Sequence, residues 1–162
     1  MHDQIRSAEL FSGLAAEQVQ RLAAIGKFVP LRRGEYLFSL GDRAQFVSVV
    51  TGGLVDLCCP ISIDGAVRDI AVDSVGPGKT VGWSALVKPY CFTLSARAAQ
   101  ASEVITFSQP DLLHVFAKDR EIERVVLGRV CELMADRLTM FQALWMRELL
   151  RAFVPGGQAA IA

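Results

Sequence analysis

Phe46-Val47-Ser48-Val49-Val50-Thr51-Gly52-Gly53-Leu54-Val55-Asp56-Leu57-Cys58 reads as strand, tight turn, strand. β-Branched and aromatic residues dominate Phe46–Val50, Leu54–Cys58 is mostly apolar around Val55, and the paired glycines between them are free to take positive φ. The same pattern extends in both directions. Upstream, Tyr36–Phe38 stands between Arg33-Gly34 and Gly41-Asp42. Downstream, Val67–Val72, Thr93–Ala98 and Val104–Phe107 are further β-rich runs, separated by turns such as Gly76-Pro77-Gly78. Asp64-Gly65 is a hairpin-turn pair. Short strands at this spacing over residues 27–107 predict an all-β sandwich or barrel.

Both flanks change character. Residues 5–26 read as helical, with Ser12 capping a helix over Ala15–Ile25 and Val19, Leu22, Ala23 and Gly26 on one face. After Pro110, Asp111–Lys118 reads as a short helix, and Asp119 caps a long one over Glu121–Arg151. Thirty residues of helix span about 45 Å. Pro155-Gly156-Gly157 is expected to end it, leaving a loose tail. Ile122, Val126, Val130, Leu133, Met140, Leu144, Trp145 and Leu149 form an apolar stripe too long for one small barrel to cover. A homodimer through this helix is therefore expected, with Leu144, Trp145, Leu149 and Leu150 most in need of a partner. Opposite charges three apart, as in Glu121–Arg124 and Arg129–Glu132, mark the remaining helix surface as solvated or an interface rim.

Composition narrows the classes. The chain has 162 residues, 52% of them apolar, enough for a single domain with a real core. Seventeen basic residues balance 17 acidic ones, so no basic bias favours direct nucleic-acid binding. No secretory signal or uncharged apolar run long enough for a membrane span is visible, and a cytoplasmic location is expected. Cys58, Cys59, Cys91 and Cys131 lack the spacing of a zinc site and read as free thiols.

Several pieces, in order, resemble the cyclic-nucleotide-binding domain family of Crp/Fnr-type regulators, kinase regulatory subunits and nucleotide-gated channels. Leu10-Phe11-Ser12-Gly13-Leu14 resembles its opening helix. Gly34…Phe38…Gly41-Asp42 matches its glycine pattern, and Phe46–Val55 its strand–turn–strand. Val81-Gly82-Trp83-Ser84-Ala85-Leu86 followed by Phe92-Thr93-Leu94-Ser95-Ala96-Arg97-Ala98 aligns with its phosphate-binding cassette. The resemblance implies a mainly β fold, a double-stranded β-helix (jelly-roll) barrel with flanking helices and a long C-terminal helix. Its parts would be an N-terminal helical segment (1–26), a sensor core (27–108), C-terminal helices (109–154) and a tail (155–162).

In the family a short helix directs backbone N–H groups at the phosphate, a glutamate holds the ribose hydroxyl, and an arginine pairs with the phosphate. Here Trp83 stands in the glutamate position and Phe92 in the arginine position. Each charged hydrogen bond contributes roughly 1.5–3 kcal/mol, so losing both lowers affinity by a factor of about a hundred or more. The resemblance implies Gly82, Trp83, Ser84, Ala85, Phe92 and Thr93 as the binding-site residues, with Thr93 offering one hydroxyl. Three readings stay open: a pocket filled by Trp83 and Phe92, a pocket for a different, more apolar small molecule, or a nucleotide held by cassette backbone and a cation from elsewhere. Cyclic AMP or GMP is only a weak expectation. Strand alternation turns Arg97 away from Phe92, which leaves Lys88 on the cassette loop as the better-placed cation.

Enzymatic chemistry is not expected. Only His2 and His114 are available, too far apart for a cupin-like metal centre, so no metal site and no cofactor is assigned. Ser84 is not in a Gly-x-Ser-x-Gly elbow, and Walker and GxGxxG motifs are absent. No catalytic residue is named. The expected function is a regulatory sensor domain with non-canonical or absent nucleotide binding, signalling through a dimerising C-terminal helix. The alternatives are the input domain of a Crp/Fnr-like transcription regulator lacking its DNA-binding part, since no helix-turn-helix fits in Pro155–Ala162, and a protein-interaction module with a filled pocket.

Overall fold

A computed structural model describes residues 1–153. Its strands are β1 (Lys27–Leu31), β2 (Tyr36–Phe38), β3 (Phe46–Gly52), β4 (Val55–Ile63), β5 (Ala66–Val75), β6 (Thr80–Val81), β7 (Ser95–Ala98) and β8 (Ser102–Ser108). They form two four-stranded sheets, ordered β1-β8-β3-β6 and β2-β7-β4-β5. Every pairing is antiparallel. This is the jelly-roll-type architecture that the sequence predicts, with helices on its flanks and a long C-terminal helix.

The fold follows from where apolar side chains can be buried. Leu31, Phe38, Val50, Val55, Leu57 and Val104 build the core between the sheets. On β3 the alternate residues Val47 and Val49 are also fully buried, which accounts for a nearly continuous apolar run rather than strict alternation. Their face belongs with Phe107, whose ring meets Phe11 of the N-terminal segment edge-on at 5.0 Å. The β4–β5 hairpin turns on Asp64 and Gly65, both at positive φ (51° and 79°), as a two-residue hairpin loop requires. Gly53, at φ +82°, is fixed by contact as well: a Cβ there would lie 2.5 Å from the Ala101 carbonyl oxygen.

Several local expectations need correction. The N-terminal segment is not one helix from Ser12. It comprises α1 (His2–Ser7), a 3₁₀ turn (Glu9–Phe11) and α2 (Ala16–Ala23). Ser12 closes the 3₁₀ turn, and α2 is capped at Ala15, whose N–H donates to the Gln18 side chain at 3.0 Å. Gly13, at φ +96°, breaks the chain between them. Strands β1 and β6 were not expected. After the sandwich, α3 runs from Gln109 to Lys118, with the Ser108 hydroxyl accepting from the Asp111 N–H at 3.2 Å.

Helix α4 spans Arg120–Phe153. Asp119 caps it as expected: its Oδ1 accepts from the N–H groups of Glu121 and Ile122 at 3.1 and 3.3 Å. The chain divides into two compact units, Met1–Arg129 and the part from Val130 onward. Ile122, Val126 and Val130 are buried. From Cys131 to Phe153, no described residue is buried. The strongly exposed apolar residues there are Leu138, Trp145, Met146 and Phe153, of which only Trp145 belongs to the expected stripe. Of that stripe Leu133, Met140, Leu144 and Leu149 are half-buried, and so is Leu150. The expected helix end at Pro155-Gly156-Gly157 and the tail lie outside the described residues. Among the described residues, no helix is long and apolar enough to cross a membrane.

Candidate functional site

The cassette is built by a left-handed step. Gly82 has φ 78° and ψ 21° and opens a 3₁₀ turn over Trp83–Leu86. The Ala85 N–H donates to the Gly82 carbonyl at 3.1 Å, and Val87 N–H to that of Ser84 at 3.3 Å. Ser84 and Ala85 are buried, whereas Trp83 and Leu86 are half-buried. The turn is anchored from outside the barrel, because the Gln109 side chain at the start of α3 donates to the Ala85 carbonyl at 2.7 Å.

Phe92 is not on a pocket wall but in the core. It is 3% exposed, and its ring stacks on Phe38 with centroids 3.7 Å apart and planes 12° from parallel. Phe46 completes the cluster, tilted at 5.6 Å from Phe92 and 6.0 Å from Phe38. Backbone bonds hold Phe92 in place: its N–H donates to the Asp42 carbonyl at 2.9 Å and its carbonyl accepts from Gly41 at 2.8 Å. The rings also press on the cassette. A Cβ on Gly82 would lie 3.1 Å from the Phe46 carbonyl oxygen, 3.2 Å from the Phe92 ring and 3.3 Å from the Phe38 ring. Gly82 is therefore required twice over, for its positive φ and for this close approach.

The predicted site residues thus separate. Gly82, Ala85 and Phe92 converge on the core cluster around Phe38. Thr93, which follows Phe92, is exposed. Among the described residues Trp83 makes no ring–ring contact, so the two substituted positions do not close the pocket together as one aromatic pair. Phe38, Phe46 and Gln109 are site residues that the sequence did not single out.

Neither candidate cation reaches the cluster. Arg97 lies on the outer face of its sheet, 3.9 Å from the Asp56 carboxylate and 6.0 Å from the Tyr36 ring, while its neighbours Ala96 and Ala98 face the core. The Tyr36 hydroxyl bonds to Asp69 on that same outer side, and this bond, with burial and the carboxylate charge, pushes the phenol above its ordinary range. Burial likewise pushes the Cys58 thiol up. Lys88 is exposed on the cassette loop. Among the described residues, no group of three or more His, Cys, Asp or Glu is placed to hold a metal ion. An open groove of about 900 Å³ does exist, but it lies among Leu31, Arg32, Arg33, Gly53 and Glu103 and includes none of the cassette residues.

Chemically, the arrangement offers a short backbone turn opened at Gly82, with Arg97 paired to Asp56 on the outer face of its sheet and Lys88 exposed. An anion entering beside Phe92 would lose its hydration against three aromatic rings.

Comparison with known proteins places these features. Residues 28–119 match the family described as Cyclic nucleotide-binding domain, more than half of the chain. A putative cyclic nucleotide-binding protein from Geobacter metallireducens GS-15 is similar at 26% identity and a TM-score of 0.69, covering 84% of this chain and 96% of its own. The N-terminal domain of a transcriptional regulator from Streptomyces coelicolor A3(2) is similar at 27% identity and a TM-score of 0.69, covering 83% and 94%. The catabolite activator protein of Thermus thermophilus, at 26% identity and a TM-score of 0.68, is matched over 88% of this chain and 63% of its own. No curated protein matches the chain.

Proposed function

Because this chain belongs to the cyclic nucleotide-binding domain family, we propose that it is a regulatory sensor domain whose phosphate subsite is filled by its own Phe92. It does not hold cyclic AMP or GMP tightly, and it signals through a homodimer of its C-terminal helix. Its role is regulatory rather than catalytic. The observation that carries the first part is the Phe38–Phe92 stack at 3.7 Å, with Phe92 only 3% exposed. In the family the equivalent side chain is a cation that neutralises the phosphate. Here a ring packed against Phe38 stands in place of that charge.

The dimer is supported by the spacing of apolar residues on α4. Leu127, Met134 and Phe141 recur every seventh residue, and Cys131, Leu138 and Trp145 recur every seventh between them. This is the a/d seam of a two-stranded coiled coil, with its period of 3.5 residues. Trp145 at 68% exposed and Leu138 at 58% are large apolar surfaces for a lone helix to leave in water.

A second reading, the input domain of a transcription regulator, is favoured by the likeness to the N-terminal domain of the Streptomyces coelicolor regulator. The two readings share the sensor and differ only in what the helix drives.

Native mass spectrometry with a nucleotide panel tests the proposal. The expected spectrum is a dimer with no retained cyclic nucleotide. A one-to-one complex with cyclic AMP or GMP would overturn the filled subsite, and a monomer at micromolar concentration would overturn the helix dimer.

A further inference from the structure

The N-terminal segment grips the molecule at two places that are far apart in sequence. At one end, Glu9 holds the strand that leads into the cassette. Its Oε1 accepts from the Thr80 N–H at 2.7 Å, its Oε2 accepts from Lys79 Nζ at 2.9 Å, and its own N–H donates to the Gly78 carbonyl at 3.0 Å. Strand β6 is the outer strand of its sheet and pairs only with β3. The Glu9 carboxylate therefore stands where a further strand would be, satisfying an edge N–H on a residue that is 2% exposed.

At the other end, α2 holds the start of the long helix. Arg21 Nη1 lies 2.7 Å from Asp119 Oδ2, and Gln18 Nε2 donates to both Asp119 oxygens at 3.4 and 3.3 Å. Ten residues on, nearly three turns of α4, Arg129 Nε donates to the Ser12 carbonyl at 3.2 Å. Asp119 is at the same time the cap of α4. Burial works to raise its pKa, but the bonds from Gln18, from the Ile122 and Glu121 N–H groups and the charge of Arg21 outweigh it and hold the carboxyl below its ordinary range.

Between these grips the segment is packed in part. Leu10 and Phe11 are fully buried, as is Leu22 of α2. A displacement of β6 would reach these buried side chains through Glu9, since close-packed interiors transmit strain.

We infer that residues 9–21 form a bracket that couples the position of the cassette strand to the capping of the long helix, with Glu9 and Asp119 as its two positioning residues. The bracket deepens the sensor reading, which alone gives it a biological use, but the coupling is a property of the fold and needs no ligand to be observed. It is reciprocal: loosening either end loosens the other.

Amide hydrogen exchange on the full chain tests this. Glu9→Gln removes the carboxylate charge and one acceptor. It is expected to speed exchange at residues 80–85 and, by about fivefold, also at 121–124, the size of an ordinary allosteric coupling. The reverse variants are Arg21→Gln and Gln18→Ala, which leave the Asp119 cap in place. They are expected to speed exchange at residues 80–85. Core amides of Val47 and Val49 serve as the control and are expected to stay unchanged. Variants that accelerate only their own end, or that accelerate all amides including the control strand, would overturn the bracket. That failure would leave the dimer and nucleotide measurements standing, and a monomeric mass or a bound cyclic nucleotide would leave the bracket standing.

Discussion

Phe92→Ala separates a filled subsite from a receptive one. The ring is 3% exposed and makes a stacked contact at 3.7 Å and a tilted one at 5.6 Å. Burial of an aromatic side chain removes roughly 150–250 Å² from water, an upper bound of about 4–6 kcal/mol. Measured Phe→Ala truncations in cores cost about 3–5 kcal/mol. The two agree on about 4 kcal/mol, a large fraction of the stability of a domain this size. Urea unfolding reads it directly. With a slope of about 2 kcal/mol per molar, the midpoint falls by about 2 M. The cavity left behind is lined by Phe38, Phe46 and the cassette glycine, without a cation, so it is expected to take benzene or indole. Either compound should restore part of the midpoint by binding the folded state. A loss below about 1.5 kcal/mol, within the range of ordinary single substitutions, would refute the reasoning. It would mean that the ring already leaves the core at little cost and that the subsite is open to ligands.

Gly53→Ala places a Cβ 2.5 Å from the Ala101 carbonyl oxygen at φ +82°, and is expected to lower the melting temperature by at least 5 °C, about the shift for 1–2 kcal/mol; an unchanged melting curve would show that the β3–β4 turn relaxes freely. Leu138→Glu puts a charge into the proposed seam and is expected to convert the dimer to monomer in sedimentation velocity while the β signal in circular dichroism persists; a dimer of unchanged stability would place the interface elsewhere. Asp119 carries a pH dependence whose sign follows from its lowered pKa: the unfolded chain binds the proton more readily, so its stabilisation is complete above the ordinary aspartate value near pH 4 and disappears as pH falls through the lower folded value. Asp119→Asn should therefore flatten that part of the acid-unfolding curve followed by circular dichroism, and an unaltered curve would assign the acid sensitivity to other carboxylates.

How much of this was legible beforehand depended on whether a residue's partner is local. The strand runs around Gly52-Gly53 and Asp64-Gly65 were visible because turn and strand chemistry are carried by neighbours in sequence. Strand β1 escaped because Pro30 interrupts it, yet Pro30 sits on an edge strand opposite Glu103, where its missing N–H breaks no ladder bond. Strand β6 escaped because two residues, Thr80 and Val81, carry no periodicity, and half of what holds them is a glutamate from the N-terminal segment. Ser12 had the chemistry of a helix cap, but Gly13 at φ +96° follows it and hands the role to Ala15 and Gln18. At the site, a phenylalanine where the family resemblance implies an arginine was plain from one position, Phe92. What replaces it was not, because Phe38 and Phe46 arrive from strands remote in the chain. On the long helix the expected stripe included Leu133, Met140 and Leu144, which are half-buried. Met134 and Phe141 repeat at the same seven-residue interval one position later, and with Leu138 they are exposed, so spacing alone does not separate the two faces.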